Sequence, residues 1–194
     1  MSVVIDLKTE VPGSQDLGLL AAMLDMLVGQ RCLKAELSYG EELMLHLGAP
    51  VPYSHPKLAD ETKGSWILGM RASRWSLLLS QPPLLIASNG RRPAETDEGA
   101  PPEEVEKKAE PLIGCTVTAV KSEWHAPQTA SRGGVALLLE FSDGSRLSVI
   151  PDDEPDDGTP LADWELFTPY DMFLACGPGP VWSYRRSDVS ASNN

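Results

Sequence analysis

The stretch Ser65–Pro82, SWILGMRASRWSLLLSQP, decides the fold because a second stretch, Asp163–Pro180, DWELFTPYDMFLACGPGP, follows the same plan. Each reads Trp-x-Leu, then an aromatic residue, a short apolar run and a proline, and Trp66 aligns with Trp164 without a gap. This correspondence predicts an internal duplication. Two copies are too few for a solenoid array, so we expect two paired halves.

The regions upstream of these stretches also match. Leu27-Val28-Gly29 opens the first and Leu112-Ile113-Gly114 opens the second. Each opener is followed by two alternating stretches, which is typical of antiparallel hairpins with one buried face. In the second stretch of each half, Leu43, Leu45 and Leu47 correspond to Leu137, Leu139 and Phe141. We therefore predict an α+β protein with two similar β-rich halves, each a mostly antiparallel sheet.

The N-terminal region predicts one amphipathic helix. Leucines recur at helical spacing from Leu17 to Leu27, and Ser14 stands where an N-cap belongs. We expect this helix to end before Gly29 and to pack on the first sheet, because its polar face is too acidic for a membrane surface.

Composition divides the chain into four parts. Residues 1–87 form the first β-rich repeat with its helix, and 88–110 form an acidic, proline-rich linker with almost no large apolar residue. Residues 111–186 form the second repeat, and 187–194 a disordered tail. Within the linker, Pro102 followed by acids and then lysines has the chemistry of a short helix.

Charge and cysteine usage limit the function classes. The chain has 194 residues, a formal net charge of −12 and three cysteines without C-x-x-C spacing. Such a charge disfavours nonspecific binding to nucleic acid or anionic lipid. There is no signal-peptide pattern and no apolar run of transmembrane length, so we expect a cytoplasmic protein with neither nucleic acid nor membrane as a partner.

No motif in the sequence indicates catalysis, a cofactor or a metal. The densest acidic cluster fails as a calcium loop, because its sixth position is Asp157 rather than glycine and its twelfth is Ala162 rather than glutamate. The histidines His46, His55 and His125 lack metal-ligand spacing and are expected at the surface or in loops. Phosphate-binding and nucleophile motifs are missing as well. We therefore predict a protein that is not an enzyme.

The second half carries a recognisable layout: Leu112-Ile113-Gly114, then Phe141 to Leu147 reading FSDGSRL, then Trp164-Glu165-Leu166, then Gly177 to Pro180 reading GPGP, and Trp182. It resembles a family of small bacterial domains of unknown function, common in actinobacteria, over residues 112–183. The resemblance implies an association with immunity-type proteins encoded near polymorphic toxin genes. It implies no catalytic residues.

We expect a non-catalytic protein-binding module, most concretely an immunity-like inhibitor that binds a basic partner through acidic loops. Trp124 lies in a predicted long loop, as an interface anchor would, whereas Trp66 and Trp164 are expected in the core. The predicted partner-binding residues are Asp152, Asp153, Glu154, Asp156, Asp157 and Trp124. The alternative is a small-ligand-binding module with a cleft between the two halves. An enzyme is the third option and lacks a recognisable nucleophile and base.

Overall fold

The computed structural model describes residues 7–37, 42–53, 56–58, 60–71, 73–81, 83–87, 102–126, 133–151 and 161–187. Within these ranges the chain forms two short helices and twelve strands. In chain order they are β1 (Val11–Ser14), α1 (Leu17–Leu24), β2 (Cys32–Leu37), β3 (Leu43–Pro52), β4 (Thr62–Gly69), β5 (Ser73–Ser80), β6 (Pro83–Ala87), α2 (Pro102–Ala109), β7 (Val117–His125), β8 (Gly134–Phe141), β9 (Arg146–Pro151), β10 (Trp164–Phe167), β11 (Met172–Cys176) and β12 (Trp182–Arg186).

The strands form two antiparallel sheets. The first has the order β1-β12-β11-β10-β4-β3-β2, and the second has the order β6-β5-β9-β8-β7. One hydrophobic cluster draws side chains from both sheets. The predicted β-rich α+β class, the antiparallel sheets and the N-terminal helix are confirmed, as are the β2–β3, β8–β9 and β10–β11 hairpins.

Each sheet combines strands from both halves of the chain. In the first sheet, β4 pairs with β10, where Leu68 lies opposite Leu166. In the second sheet, β5 pairs with β9, where Leu77 lies opposite Leu147. The prediction of one sheet per half is therefore wrong. Strands β4 and β5 are consecutive in the chain but belong to different sheets.

Two glycine turns meet where the halves join. Gly29 has φ of +88° and Gly114 has φ of +94°, which are left-handed values that glycine adopts without strain. The preceding residues have φ near −65° and ψ near +126°, so each opener is a type II turn. The Gly29 N–H donates to the Val117 carbonyl and the Gly114 N–H donates to the Cys32 carbonyl, both at 2.8 Å. The two openers thus make the same bond to each other's following strand.

The helices exchange partners in the same manner. Helix α1 packs against β7 and helix α2 packs against β2, so each helix lies on a strand of the other half. The prediction that the N-terminal helix packs on the sheet of its own half is therefore wrong. Helix α2 falls inside the predicted linker, where it places Glu106 Oε1 2.9 Å from the Leu37 N–H at the edge of β2. This side chain occupies one backbone donor at the edge of the first sheet.

Helix α1 begins later than predicted. Its N-cap is Asp16, whose Oδ1 accepts from the Gly18 N–H at 2.9 Å and the Leu19 N–H at 3.0 Å. Ser14 instead belongs to β1 and lies opposite Trp182. A carboxylate at this position caps the helix and also interacts favourably with the positive end of the helix dipole.

The two aligned tryptophans are buried, as predicted, but they are not counterparts. Trp66 is 4% exposed in β4, and Trp164 is fully buried in β10. Leu166 and Leu77 hold matching places, because each pairs across the junction between halves. Two residues earlier in each strand stand Trp164 and Trp75. In the ladders, Trp75 rather than Trp66 holds the place that corresponds to Trp164, so the gap-free alignment of Trp66 with Trp164 is wrong.

The predicted domain boundaries stay predictions. Strand β6 ends at Ala87, but residues 88–101 of the linker and 188–194 of the tail lie outside the described residues.

Candidate functional site

The end of the second sheet that carries Trp124 is the first candidate site. Trp124 lies opposite Val135 in the β7–β8 ladder, and Gly134, the residue before Val135, packs closely against Pro151, the last residue of β9. Ser73 of β5 pairs with Pro151 on the far side. Trp124 is 42% exposed, whereas Val135 and Pro151 are buried. Trp124 therefore belongs to a strand rather than to the predicted loop, but it remains accessible.

The described residues on either side of the acidic segment, residues 152–157, lie at this same end. Asp152, Asp153, Glu154, Asp156 and Asp157 lie outside the described residues, directly after Pro151. On the other side of the segment, the Asp163 N–H donates to the Cys176 carbonyl at 2.8 Å and the Ser73 hydroxyl donates to the Asp163 carbonyl at 2.8 Å. The described anchors of the segment are thus fixed near the strand that carries Trp124.

Close packing around Asp163 explains why two glycines are needed here. A Cβ at Gly134 would lie 2.6 Å from Asp163 Oδ2 and 2.7 Å from Pro151 Cγ. A Cβ at Gly177 would lie 2.1 Å from Asp163 Oδ2. Asp163 itself is 1% exposed. The Trp164 indole N–H donates to the Val135 carbonyl at 2.8 Å and joins the two sheets at this point.

The described thiols are poorly suited to nucleophilic chemistry. Burial raises the pKa of Cys32 to about 12. Burial also raises the pKa of Cys176, with the Asp163 charge adding to the effect, and the pKa of Cys115 rises by burial and the nearby Asp143. A thiol acts as a nucleophile through its thiolate, which these environments disfavour at neutral pH.

His46 and Glu36 form a buried pair that superficially resembles a catalytic dyad. Nδ1 of His46 accepts from the Gly64 N–H at 3.2 Å, so the ring proton resides on Nε2, which lies 2.8 Å from Glu36 Oε1. Nδ1 is thus occupied by a backbone donor, and Nε2 is in close contact with a carboxylate. The contact with His46, followed by that with Lys34, lowers the pKa of Glu36 to about 2. We interpret this pair as a structural polar cluster.

The expectation that His46 lies at the surface is wrong. Its side chain points away from the central core, as the alternation predicted, but it is only 1% exposed. Alternation identifies the face of a strand and gives no information about what covers that face. Strand β3 continues to Pro52, and Pro50 and Val51 pair with Gly64 and Lys63 beside the imidazole.

An aromatic and basic row crosses the outer face of the first sheet. Ile67, Phe167, Phe173 and Arg185 lie in register across four adjacent strands. The two phenylalanine rings have centroids 4.8 Å apart, and the Arg185 guanidinium lies 5.5 Å from the Phe173 centroid. These distances suit aromatic and cation–π contacts. Sequence reasoning missed this row, although the alternation in FTPYDMF places both phenylalanines on the face opposite to the core leucines.

A basic groove at one end of the first sheet is the second candidate site. Its volume is about 530 Å³. The residues that line the groove include Lys8, Lys63, Tyr170, Asp171, Arg186 and Ser187. Because the first two belong to the N-terminal half and the others to the C-terminal half, the groove lies between the halves. Composition gave no indication of a positive site, since the lining residues are far apart in sequence.

Comparison with protein-family models, with curated proteins and with solved structures finds no match to this chain. Among the described residues, no group of three or more histidine, cysteine or acidic side chains is arranged to hold a metal ion. None of the helices in the described ranges is both long enough and apolar enough to span a membrane.

Proposed function

We propose that this chain is a non-catalytic protein-binding module, an immunity-like inhibitor that binds a basic partner through its acidic segment and Trp124. The observation that carries the proposal is the position of Trp124 opposite Val135, next to the close packing of Gly134 against Pro151, which immediately precedes Asp152. An exposed tryptophan, together with an acidic segment that follows Pro151 in the sequence, would combine a hot-spot side chain with electrostatic steering.

The chemistry of the described polar groups supports a non-catalytic role. The cysteine pKa values are raised by burial, and Nδ1 of His46 accepts a hydrogen bond from the Gly64 N–H. A general base needs a free lone pair directed at a substrate, which His46 in this arrangement does not offer. A reducing cytoplasm suits the proposal, since Cys32, Cys115 and Cys176 are free thiols.

The partner is expected to be basic. Five of the six residues 152–157 are acidic in a chain of net charge −12. Complementary charge accelerates association and makes the affinity dependent on salt. The resemblance of residues 112–183 to domains associated with immunity-type proteins points to a toxin as the partner.

Affinity capture from the native host with the immobilised full chain tests the proposal, with bound proteins quantified by mass spectrometry. Substitution of Asp152 and Asp153 by Asn should weaken capture of the specific partner, most strongly at low salt. The matched control replaces the exposed Asp60 by Asn and Glu110 by Gln, which removes the same charge elsewhere. Equal loss in both doubly substituted proteins would show a general charge effect and contradict the proposed site.

The contribution of Trp124 is tested with Trp124→Ala against Phe167→Ala. These aromatic side chains are 42% and 38% exposed, on different sheets. We expect Trp124→Ala to weaken partner binding about tenfold or more, as truncation of a hot-spot residue does. Retained affinity in Trp124→Ala, or loss only in Phe167→Ala, would refute the assignment.

A second candidate function is a small-ligand-binding module with a cleft between the halves. The observation that favours it is the basic groove, which is lined from both halves of the chain. Its volume lies within the range of ligand pockets, roughly 300–1,000 Å³. A thermal-shift screen with metabolites tests this candidate, because a ligand that binds the native state raises the melting temperature.

We infer further that the two halves arose by tandem duplication. The reciprocal bonds of Gly29 and Gly114 support this inference. The strand pairing supports it as well. Cys32 lies opposite Leu47 in the β2–β3 ladder, and Val117 lies opposite Phe141 in the β7–β8 ladder. In both ladders a register shift follows this pair. Single-half relatives that form symmetric dimers with exchanged strands would support this origin, whereas single-half relatives with closed monomeric sheets would oppose it.

A further inference from the structure

We propose that the basic groove binds a phosphate-bearing small molecule. This inference rests on the second candidate function and gives the chemical class of its ligand. The argument has three parts: the sign of the local charge, the geometry of the donors, and the size of the groove.

The local charge is opposite to that of the whole chain. Lys8, Lys63 and Arg186 line the groove, with Asp171 as the acidic side chain among its lining residues. The chain as a whole carries −12. A concave surface concentrates the field of the charges that line it, so this groove attracts anions that the remainder of the surface repels.

The donors suit a tetrahedral oxyanion. A guanidinium presents a rigid fork of N–H donors that matches phosphate oxygens, whereas lysine ammonium groups act as point charges. Two hydrogen bonds hold the main chain that carries these donors: the Arg186 N–H donates to Glu10 Oε1 at 3.3 Å, and the Ser187 N–H donates to the Asp171 carbonyl at 2.8 Å. The hydroxyl of Ser187 adds a neutral donor to the lining.

The groove is larger than a bare phosphate requires. Its volume is about 530 Å³, and Tyr170 contributes an aromatic side chain that is 42% exposed. An aromatic face beside cations can stack on a planar group attached to the phosphate. We therefore expect a phosphorylated molecule of about mononucleotide size to bind more tightly than inorganic phosphate.

The test uses the full chain in thermal shift and isothermal titration calorimetry at constant ionic strength. The probes are inorganic phosphate, pyrophosphate, adenosine monophosphate, citrate as a carboxylate, and a panel of neutral and cationic metabolites. The phosphate-bearing probes should raise the melting temperature. Arg186→Gln and Lys63→Gln should each weaken their binding about tenfold, as expected for loss of a charge-assisted contact.

The controls separate a site from long-range electrostatics. Arg146→Gln and Lys121→Gln remove the same charges from exposed positions of the second sheet and should leave the affinity unchanged. Equal weakening by the control substitutions would overturn the site. Tighter binding of citrate than of pyrophosphate would overturn the phosphate assignment. If only a neutral or cationic compound bound, the proposal of an anionic ligand would be overturned, but the proposal of a ligand-binding cleft would stand. If no probe bound, both proposals would be overturned.

Discussion

The substitution Gly134→Ala tests the packing that anchors the candidate partner site. The added Cβ would lie 2.6 Å from Asp163 Oδ2, 2.7 Å from Pro151 Cγ and 2.8 Å from Pro151 Cβ. Contacts under 3.0 Å force the neighbours to move, and both neighbours belong to buried residues. Adding a methyl group to such packing costs roughly 1–3 kcal/mol of unfolding free energy.

Gly69→Ala is the matched control. Gly69 is also a strand residue, and a Cβ there would meet nothing within 4 Å. Both substitutions reduce the entropy of the unfolded chain, which favours the folded state by about 0.4–1 kcal/mol in each case. That contribution cancels when the two variants are compared, so the difference between them measures the steric contact.

Urea unfolding at pH 7 provides the free energies, and thermal unfolding provides an independent measurement. Gly134→Ala should unfold more easily than Gly69→Ala by about 1–3 kcal/mol. At a few degrees per kcal/mol, the melting temperatures should differ by roughly 3–9 °C. Equal stability of the two variants would show that β8, Pro151 and Asp163 do not meet closely, and the anchoring of the acidic segment would lose its basis.

Three further predictions concern the polar cluster, the turns and the joined halves. The contact with His46 lowers the folded-state pKa of Glu36 from 4.5 to about 2, so the pair should stabilise the fold above pH 4.5 and lose that effect as the pH falls toward 2. When the urea midpoint of unfolding is measured against pH, Glu36→Gln should remove this loss of stability. An unchanged profile would contradict the pairing. Gly29→Ala and Gly114→Ala both place alanine at positive φ, so calorimetry should find similar losses of about 1–2 kcal/mol, and a large inequality would oppose equivalent turns. Cleavage at a protease site inserted within residues 88–101 should leave both fragments together in native size-exclusion chromatography, since each sheet contains strands of both halves, whereas separation would disprove the exchanged arrangement.

The sequence predicted most strands because burial on one face imposes a period of two. The hairpin from Gly134 to Pro151 shows this well: its buried residues alternate, and Gly144 at φ of +86° occupies the turn. The two Leu-x-Gly openers were informative for a related reason, since a type II turn requires glycine or a close substitute at its third position. Burial of Trp66 and Trp164 followed from their large apolar surface.

The candidate sites were only partly predictable. Trp124 was identified from its residue type, but alternation alone did not show that β7 extends through His125. The basic groove could not be read from the sequence, because Lys8, Lys63 and Arg186 are far apart there and come together only through pairing of distant strands. The burial of His46 was missed because the residues that cover an outer face are not encoded in the strand itself.

The amino-acid sequence by itself determined the elements: antiparallel strands, an N-terminal helix, glycine turns and an apolar interior, all of which arise from local periodicity and backbone preference. Only the tertiary structure decided which strands are neighbours. A strand with one apolar face satisfies its hydrogen bonds equally well beside several partners, so the pairing of β4 with β10 and of β5 with β9 depends on how all the apolar faces are buried together. That choice mixes the halves and forms the basic groove between them.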